Sequence, residues 1–289
     1  MQLKYLLVLG LSLAAPHWGA GQNIVSISTR EGLSNSSILS VAQDADGYIW
    51  AGSCEGLNLW DGKQSRNYKL SGNLIHRIIP TGDGMLWVYS NSGFDLFDPR
   101  EKTCERHARF NRPYAVTAGS REEAFLVHDG QLYGYNPATS EFEPAEIAGS
   151  PVTLDRRTRM FMDRRGSLWI IRPEGLYHYD ITRSASGNCS AVETRFIPAA
   201  NNIVFSRDLA GMICFLDCDR NLYRFDPETG SVSLLFDLTD FDAFDSDFPA
   251  ALEHDGDDYL IAFHKNGLWR LSPRGPAGGG GGRNRSGFR

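Results

Sequence analysis

Apolar and polar residues alternate from Ile38 to Gln43 and break at Asp44 to Gly47. They resume as an aromatic-rich run from Tyr48 to Ser53 and alternate again over Leu57 to Trp60. A turn at Asp61-Gly62 leads into Arg66 to Leu70. A two-residue period over four to six positions, punctuated by Asp-Gly and other glycine turns, predicts short strands joined as an antiparallel meander. After residue 22 no stretch shows the 3.6-residue period of a long amphipathic helix, which disfavours a helical solenoid.

The pattern returns along the chain. Asp46-Gly47-Tyr48-Ile49-Trp50 recurs as Asp83-Gly84-Met85-Leu86-Trp87 and as Arg165-Gly166-Ser167-Leu168-Trp169, and six residues after each Trp comes a second marker at Gly56-Leu57, Gly93-Phe94 and Gly175-Leu176. Weaker copies centre on Phe125, Cys214 and Leu260. With these six positions taken as equivalent, the steps are 37, 38, 44, 45 and 46 residues, the spacing of propeller blades. The expected fold is all-β: a β-propeller of four-stranded antiparallel blades, about six of them present, incomplete or unclosed. An aromatic recurring once per blade on the second strand packs most simply between neighbouring sheets, so Trp50, Trp87 and Trp169 are read as core and not as a sugar-stacking site. The Gly before each aliphatic-Trp pair reads as a turn residue with positive φ.

Composition narrows the picture. With Lys+Arg 29 against Asp+Glu 35 the net charge is -6, which argues against a nucleic-acid binder that must neutralise many phosphates. Residues 1–21 read as a signal peptide, with Lys4 in the n-region, an apolar run from Leu6 to Ala15, and Gly19-Ala20-Gly21 at the cleavage site. That run is too short to span a bilayer, and no later segment is apolar enough. The repeats occupy 22–273. Residues 274–289, with five consecutive glycines from Gly278 to Gly282, read as a disordered Gly/Arg-rich tail and as the sign of a truncated end. The cysteines, Cys54, Cys104, Cys189, Cys214 and Cys218, are odd in number and lack a second pair at zinc spacing, so buried small hydrophobes are expected in preference to a bridge or metal site.

Catalytic patterns are absent: there is no nucleophile elbow, no zincin helix and no phosphate loop. No cofactor and no metal is expected, and no catalytic residue is assigned. Asp237, Asp240, Asp242, Asp245 and Asp247 lack the loop Gly and terminal Glu of a calcium loop, and read as a solvated interblade segment. One basic group stands out in an acidic chain. Arg156, Arg157, Arg159, Arg164 and Arg165 fall within ten positions, and guanidinium groups suit bidentate recognition of sulfate or carboxylate. They form the candidate ligand-binding patch, set against the plainer reading of a charged turn flanking a Met160-Phe161-Met162 strand.

The stretch Gly32-Leu33-Ser34-Asn35-Ser36-Ser37-Ile38, followed by Asp44-Ala45-Asp46-Gly47-Tyr48-Ile49-Trp50-Ala51-Gly52-Ser53 and Gly56-Leu57, resembles the two-component-regulator propeller repeat of periplasmic sensor regions in Bacteroidetes hybrid two-component systems. The resemblance covers about residues 22–273. It implies two seven-bladed propellers and an immunoglobulin-like domain ahead of a membrane helix, a histidine kinase, a receiver and a DNA-binding domain, with oligosaccharide ligands. It also implies that the strand near Ile24 to Ser28 completes the final blade. The chain departs by stopping within the first propeller. It is therefore expected to be an exported, non-enzymatic, ligand-sensing segment lacking the kinase and DNA-binding parts, with a homodimer of the full-length sensor left open. The alternative is a secreted propeller polysaccharide lyase, which would place a His or Tyr base beside a charge-neutralising group at the channel mouth.

Overall fold

The computed structural model describes residues 27–108, 110, 113, 115–163, 165–198, 202–207, 213–226, 229–245, 247–255, 258–263, 265–272 and 285–288. The signal segment 1–21 and the start of the expected closing strand lie outside these residues, and Ile27 and Ser28 are not strand.

Each repeat folds as one sheet whose strands lie in chain order. Blade one is β1 (Ile38–Gln43), β2 (Ile49–Ser53), β3 (Gly56–Trp60) and β4 (Ser65–Tyr68); blade two is β5 (Ile75–Pro80), β6 (Leu86–Ser90), β7 (Gly93–Asp98) and β8 (Thr103–Ala108). Blade three is β9 (Ala115–Ala118), β10 (Ala124–His128), β11 (Gln131–Asn136) and β12 (Glu141–Pro144). Blade four has β14 (Arg159–Met162), β15 (Leu168–Arg172), β16 (Gly175–Arg183) and β17 (Cys189–Pro198), and β13 (Glu146–Ala148) adds to the outer edge of β17 in parallel. Blade five is β18 (Asn202–Arg207), β19 (Ile213–Asp217), β20 (Asn221–Phe225) and β21 (Val232–Asp237). Blade six is β22 (Pro249–Asp255), β23 (Asp258–Phe263), β24 (Leu268–Leu271) and β25 (Arg285–Phe288). The helical content of the described residues is two three-residue 3-10 turns, Thr29–Glu31 and Asp242–Phe244.

The six sheets make a six-bladed propeller that does not close. Its core is divided into slabs between neighbours: Trp50 and Leu57 against Ile75, Val88 and Phe97, then Trp87 and Phe94 against Leu126 and Phe142. Next come Phe125 and Val127 against Met160 and Tyr179, Trp169 and Ile171 against Ile213 and Phe225, and Cys214 and Leu216 against Leu252 and Ile261. No such slab joins blade six to blade one among the described residues. The equivalence read from the repeats holds, because Trp50, Trp87 and Trp169 are 1%, 0% and 1% exposed and each faces the following blade. Leu260 differs for a geometric reason. Tyr259, Ile261 and Phe263 turn toward blade five, so the two-residue alternation points Leu260 to the open side, where it is half-buried.

The repeated Gly has the role expected of it. Gly47, Gly84 and Gly166 take φ of 87°, 85° and 80° in the turn that feeds the second strand. The tail departs from expectation, because Arg285–Phe288 runs antiparallel to β24 from Leu268↔Phe288 to Leu271↔Arg285. A three-stranded blade leaves the outer edge of β24 with unpaired backbone groups, and Arg285–Phe288 pairs with them.

Candidate functional site

The first strand of each blade lines the ring axis. Along that inner wall β1 meets β5, β5 meets β9, β9 meets β14 and β18 meets β22. Register fixes which side chains share a level. In blade two Arg77 pairs with Tyr89, two residues past Trp87, and in blade four Arg159 pairs with Ile171, two residues past Trp169. Arg77 and Arg159 thus occupy the same position on the inner strands of alternate blades, and both are exposed. Glu253 of β22 pairs with Leu260, the position equivalent to the Trp, and so sits two residues deeper, about 6.6 Å along the strand.

These charges act on one another. Enclosure by the inner strands and the like charge of Arg159 both lower the Arg77 pKa, while Glu253 opposes the shift. Arg77 is open to solvent yet surrounded by protein, as a side chain on a ring axis must be. Among the described residues nothing forms a hydrogen bond or ion pair with its guanidinium.

Arg159 is held in place. Its Nη1 donates to the carbonyls of Arg156 and Thr158, both at 3.1 Å. The loop that carries it is pinned from below by Arg172, which is 3% exposed at the end of β15. Arg172 pairs with both carboxylate oxygens of Asp155, reaches Thr158 Oγ1 at 3.4 Å, and meets Glu174 at 3.4 Å. The hydrogen bond from Arg172 holds the Asp155 carboxyl below its ordinary pKa.

Of the five arginines singled out in the sequence, the four that are described do not lie together. Arg156 and Arg157 precede β14, Arg159 opens it, and Arg165 lies past its far end in the turn to β15; Arg164 is outside the described residues. The length of β14 therefore divides the group between opposite ends of the blade. Arg157 pairs with Asp155 at 3.5 Å, and the Arg165 amide donates to Asp163.

The Asp163 turn is a packing device. Its carboxylate accepts from the amides of Arg165 and Ser167 and from Trp169 Nε1 at 3.0 Å, with His178 Nε2 at 3.6 Å. Burial opposes ionisation there, but the bonds from His178, Trp169 and the two amides prevail and hold the pKa at about 2. Blade one repeats the arrangement, with Asp44 accepting from Trp50 Nε1 at 2.7 Å.

The acidic stretch is only partly solvated. Asp245 pairs with Arg220 at 3.1 Å, whereas Asp247 is buried and accepts from the amides of Phe248, Lys265 and Asn266, capping the turn between β23 and β24. Among the described residues no three His, Cys, Asp or Glu side chains are grouped to hold a metal. No disulfide joins the five cysteines; Cys189 and Cys214 are buried as expected, but Cys54 is only half-buried and Cys104 and Cys218 are exposed, Cys218 because β19 ends at Asp217, one residue before it. Within the described residues no helix is long and apolar enough to cross a membrane.

Residues 32–55, from the end of the first 3-10 turn to the β2–β3 turn, match the family model of the two component regulator propeller. The first blade carries a two-component regulator propeller repeat. The resemblance read from Gly32 onward is met over residues 32–55. No curated protein matches the chain. Among solved structures, an extracellular domain assigned to a hybrid two-component system of B. thetaiotaomicron superposes with a TM-score of 0.58 at 16% identity, over 86% of this chain and 35% of that one. A second such domain from the same organism gives 0.56 at 18% identity, over 81% and 31%. Virginiamycin B lyase from Staphylococcus aureus gives 0.59 at 11% identity, over 88% and 85%. At these identities the likeness establishes the propeller fold. The chain spans about a third of the length of the two-component-system domains.

Proposed function

We propose that the chain is the ligand-sensing propeller of an exported two-component sensor, working in the periplasm, with an oligosaccharide as its ligand. Ligand recognition is its part, and phosphotransfer belongs to other portions of such a sensor. The observation that carries this reading is the two-component regulator propeller repeat in blade one, on the same fold as extracellular sensor domains. The charged inner wall supports it, because polar groups held on rigid strands around an axis bind a hydrophilic ligand without further folding. The test is calorimetric titration of the purified chain with a panel of neutral and acidic oligosaccharides, followed by chromatography of the recovered sugar. Binding with the sugar recovered unchanged is expected. Binding by none of them overturns the reading.

A lyase remains the second reading because of one feature. His76 is exposed on β5 beside Arg77, at a register shift in the β5–β6 pairing, with its ring 5.1 Å from that of Tyr89. A base next to a cation is the pair that abstraction of a proton α to a carboxylate needs. Formation of an unsaturated product from a polyuronate, lost in His76→Ala, would establish that reading in place of the first.

A further inference from the structure

We propose that Arg77 and Arg159 together form an anion site on the ring axis that takes the carboxylate or sulfate group of an acidic saccharide. The proposal rests on the sensor reading above and names its ligand class. Its basis is positional: the two arginines share one level on the inner strands of alternate blades, each paired with the residue two past its blade's Trp. The chain as a whole carries -6, so two cations facing one axis do not follow from a basic composition.

Arg159 is prepared for such a ligand. Both N–H groups of Nη1 are directed at carbonyls, the loop behind it is clamped by Arg172 and Asp155, and the Nε and Nη2 edge is left for an acceptor. That edge is the fork that binds a carboxylate or sulfate through two parallel bonds. Arg77, enclosed and under the like charge of Arg159, loses that repulsion when an anion sits between them. Glu253, one side-chain level deeper, excludes a second anion and accepts hydrogen bonds from hydroxyl groups. The axis therefore offers an anion level above a hydroxyl-accepting level, which is the chemistry of a uronic acid or a sulfated sugar.

The experiment uses the full chain and three probes at constant ionic strength: galacturonate, inorganic sulfate, and glucose as the neutral control. Affinity is read by calorimetry and by the shift in Tm. Galacturonate and sulfate should both bind, with glucose far weaker. Arg77→Gln and Arg159→Gln should each weaken both anions about tenfold or more, the loss expected when one charge-assisted contact is removed. Arg77→Lys should retain part of the affinity for sulfate and less of that for galacturonate, since an ammonium keeps the charge and loses the fork. Anion affinity unchanged in both Gln variants, or glucose binding as well as galacturonate, overturns the site. Glucose bound equally by the native chain and Arg77→Gln, with neither anion preferred over it, would overturn the anion site and leave the sensor reading standing. No response to any saccharide or to sulfate removes both.

Discussion

At Asp163 a single carboxylate joins a turn to a packed indole, and its ionisation shows how much that joint stabilises. Its pKa falls from the ordinary 3.8 to about 2 in the fold. A depressed carboxylate pKa contributes stability that is fully present above the unfolded value and is lost as pH falls through the folded one, here between about pH 4 and pH 2. The shift corresponds to about 2 kcal/mol. Asp163→Asn should therefore destabilise the chain by about 2 kcal/mol near neutral pH, measured by denaturant unfolding. The difference from the native chain should narrow as pH is lowered from 5 to 3. A difference that stays constant over that range would show that Asp163 does not act through its charge. The Trp169 side of this joint was legible in the sequence from the recurrence of Trp alone. Arg77 was not, because reading by local density finds arginines that cluster along the chain, and this one stands among isoleucines. The repeat register does reveal it, since Arg77 and Arg159 each lie ten residues before their blade's Trp.

Blade four is built differently from its neighbours, and the difference is a clasp. Its third and fourth strands, β16 and β17, run on past the blade's edge as a hairpin from Asp180↔Val192 to Arg183↔Cys189. The tip lies on blade three: Arg183 donates to the carbonyls of Tyr135 at 2.7 Å and Glu122 at 2.6 Å, and buried Asn136 donates to Ser186 O at 3.0 Å. Gly187, at φ 89°, sits so close that an added Cβ would fall 2.0 Å from Asn136 Oδ1. Both the backbone conformation and the space exclude a side chain there. Gly187→Ala should destabilise by about 1–3 kcal/mol, with hydrogen exchange rising first in β11 and the turn before β10, where the clasp lands. Uniform loosening of all six blades would show that the hairpin is not a local clasp. The sequence carried a trace of this element, since the repeat steps around blade four are 44 and 45 residues against 37 and 38 earlier. Spacing counts extra residues but says nothing of where they go, and folding the hairpin onto blade three is set by tertiary hydrogen bonds with no periodic signature.

The arrangement of the whole ring follows from slabs that each need two blades. Six blades give five inter-blade slabs when the ring is open, so among the described residues one face of blade one and one face of blade six have no neighbour. The alternation along β1 shows what this leaves uncovered. Ala42 packs in the slab with blade two, while Leu39 and Val41 point to the open side and are 47% and 64% exposed. Across the gap, Leu268 of β24 is 37% exposed. Blade count and the open ring were legible from six markers at blade spacing, because a propeller is nearly a linear array in which each unit touches only its neighbours. The same logic sets the behaviour of the molecule in solution. Apolar side chains on an unpaired sheet face are covered by other chains at a free-energy gain of about 25 cal/mol per Å² removed from water. The purified chain should therefore associate with rising concentration. Val41→Lys combined with Leu39→Glu should suppress that association, seen by light scattering and sedimentation, because charges on the face must be desolvated for another chain to cover it. These two positions take no part in any slab, so the substitutions should change unfolding free energy by no more than about 0.5 kcal/mol, as surface changes do. A chain that stays monomeric at all concentrations, or a double variant that associates as readily as the native chain, would show that the open faces do not drive assembly. A large loss of stability in the monomeric variant would place Leu39 and Val41 in the core, against the position the strand alternation assigns them.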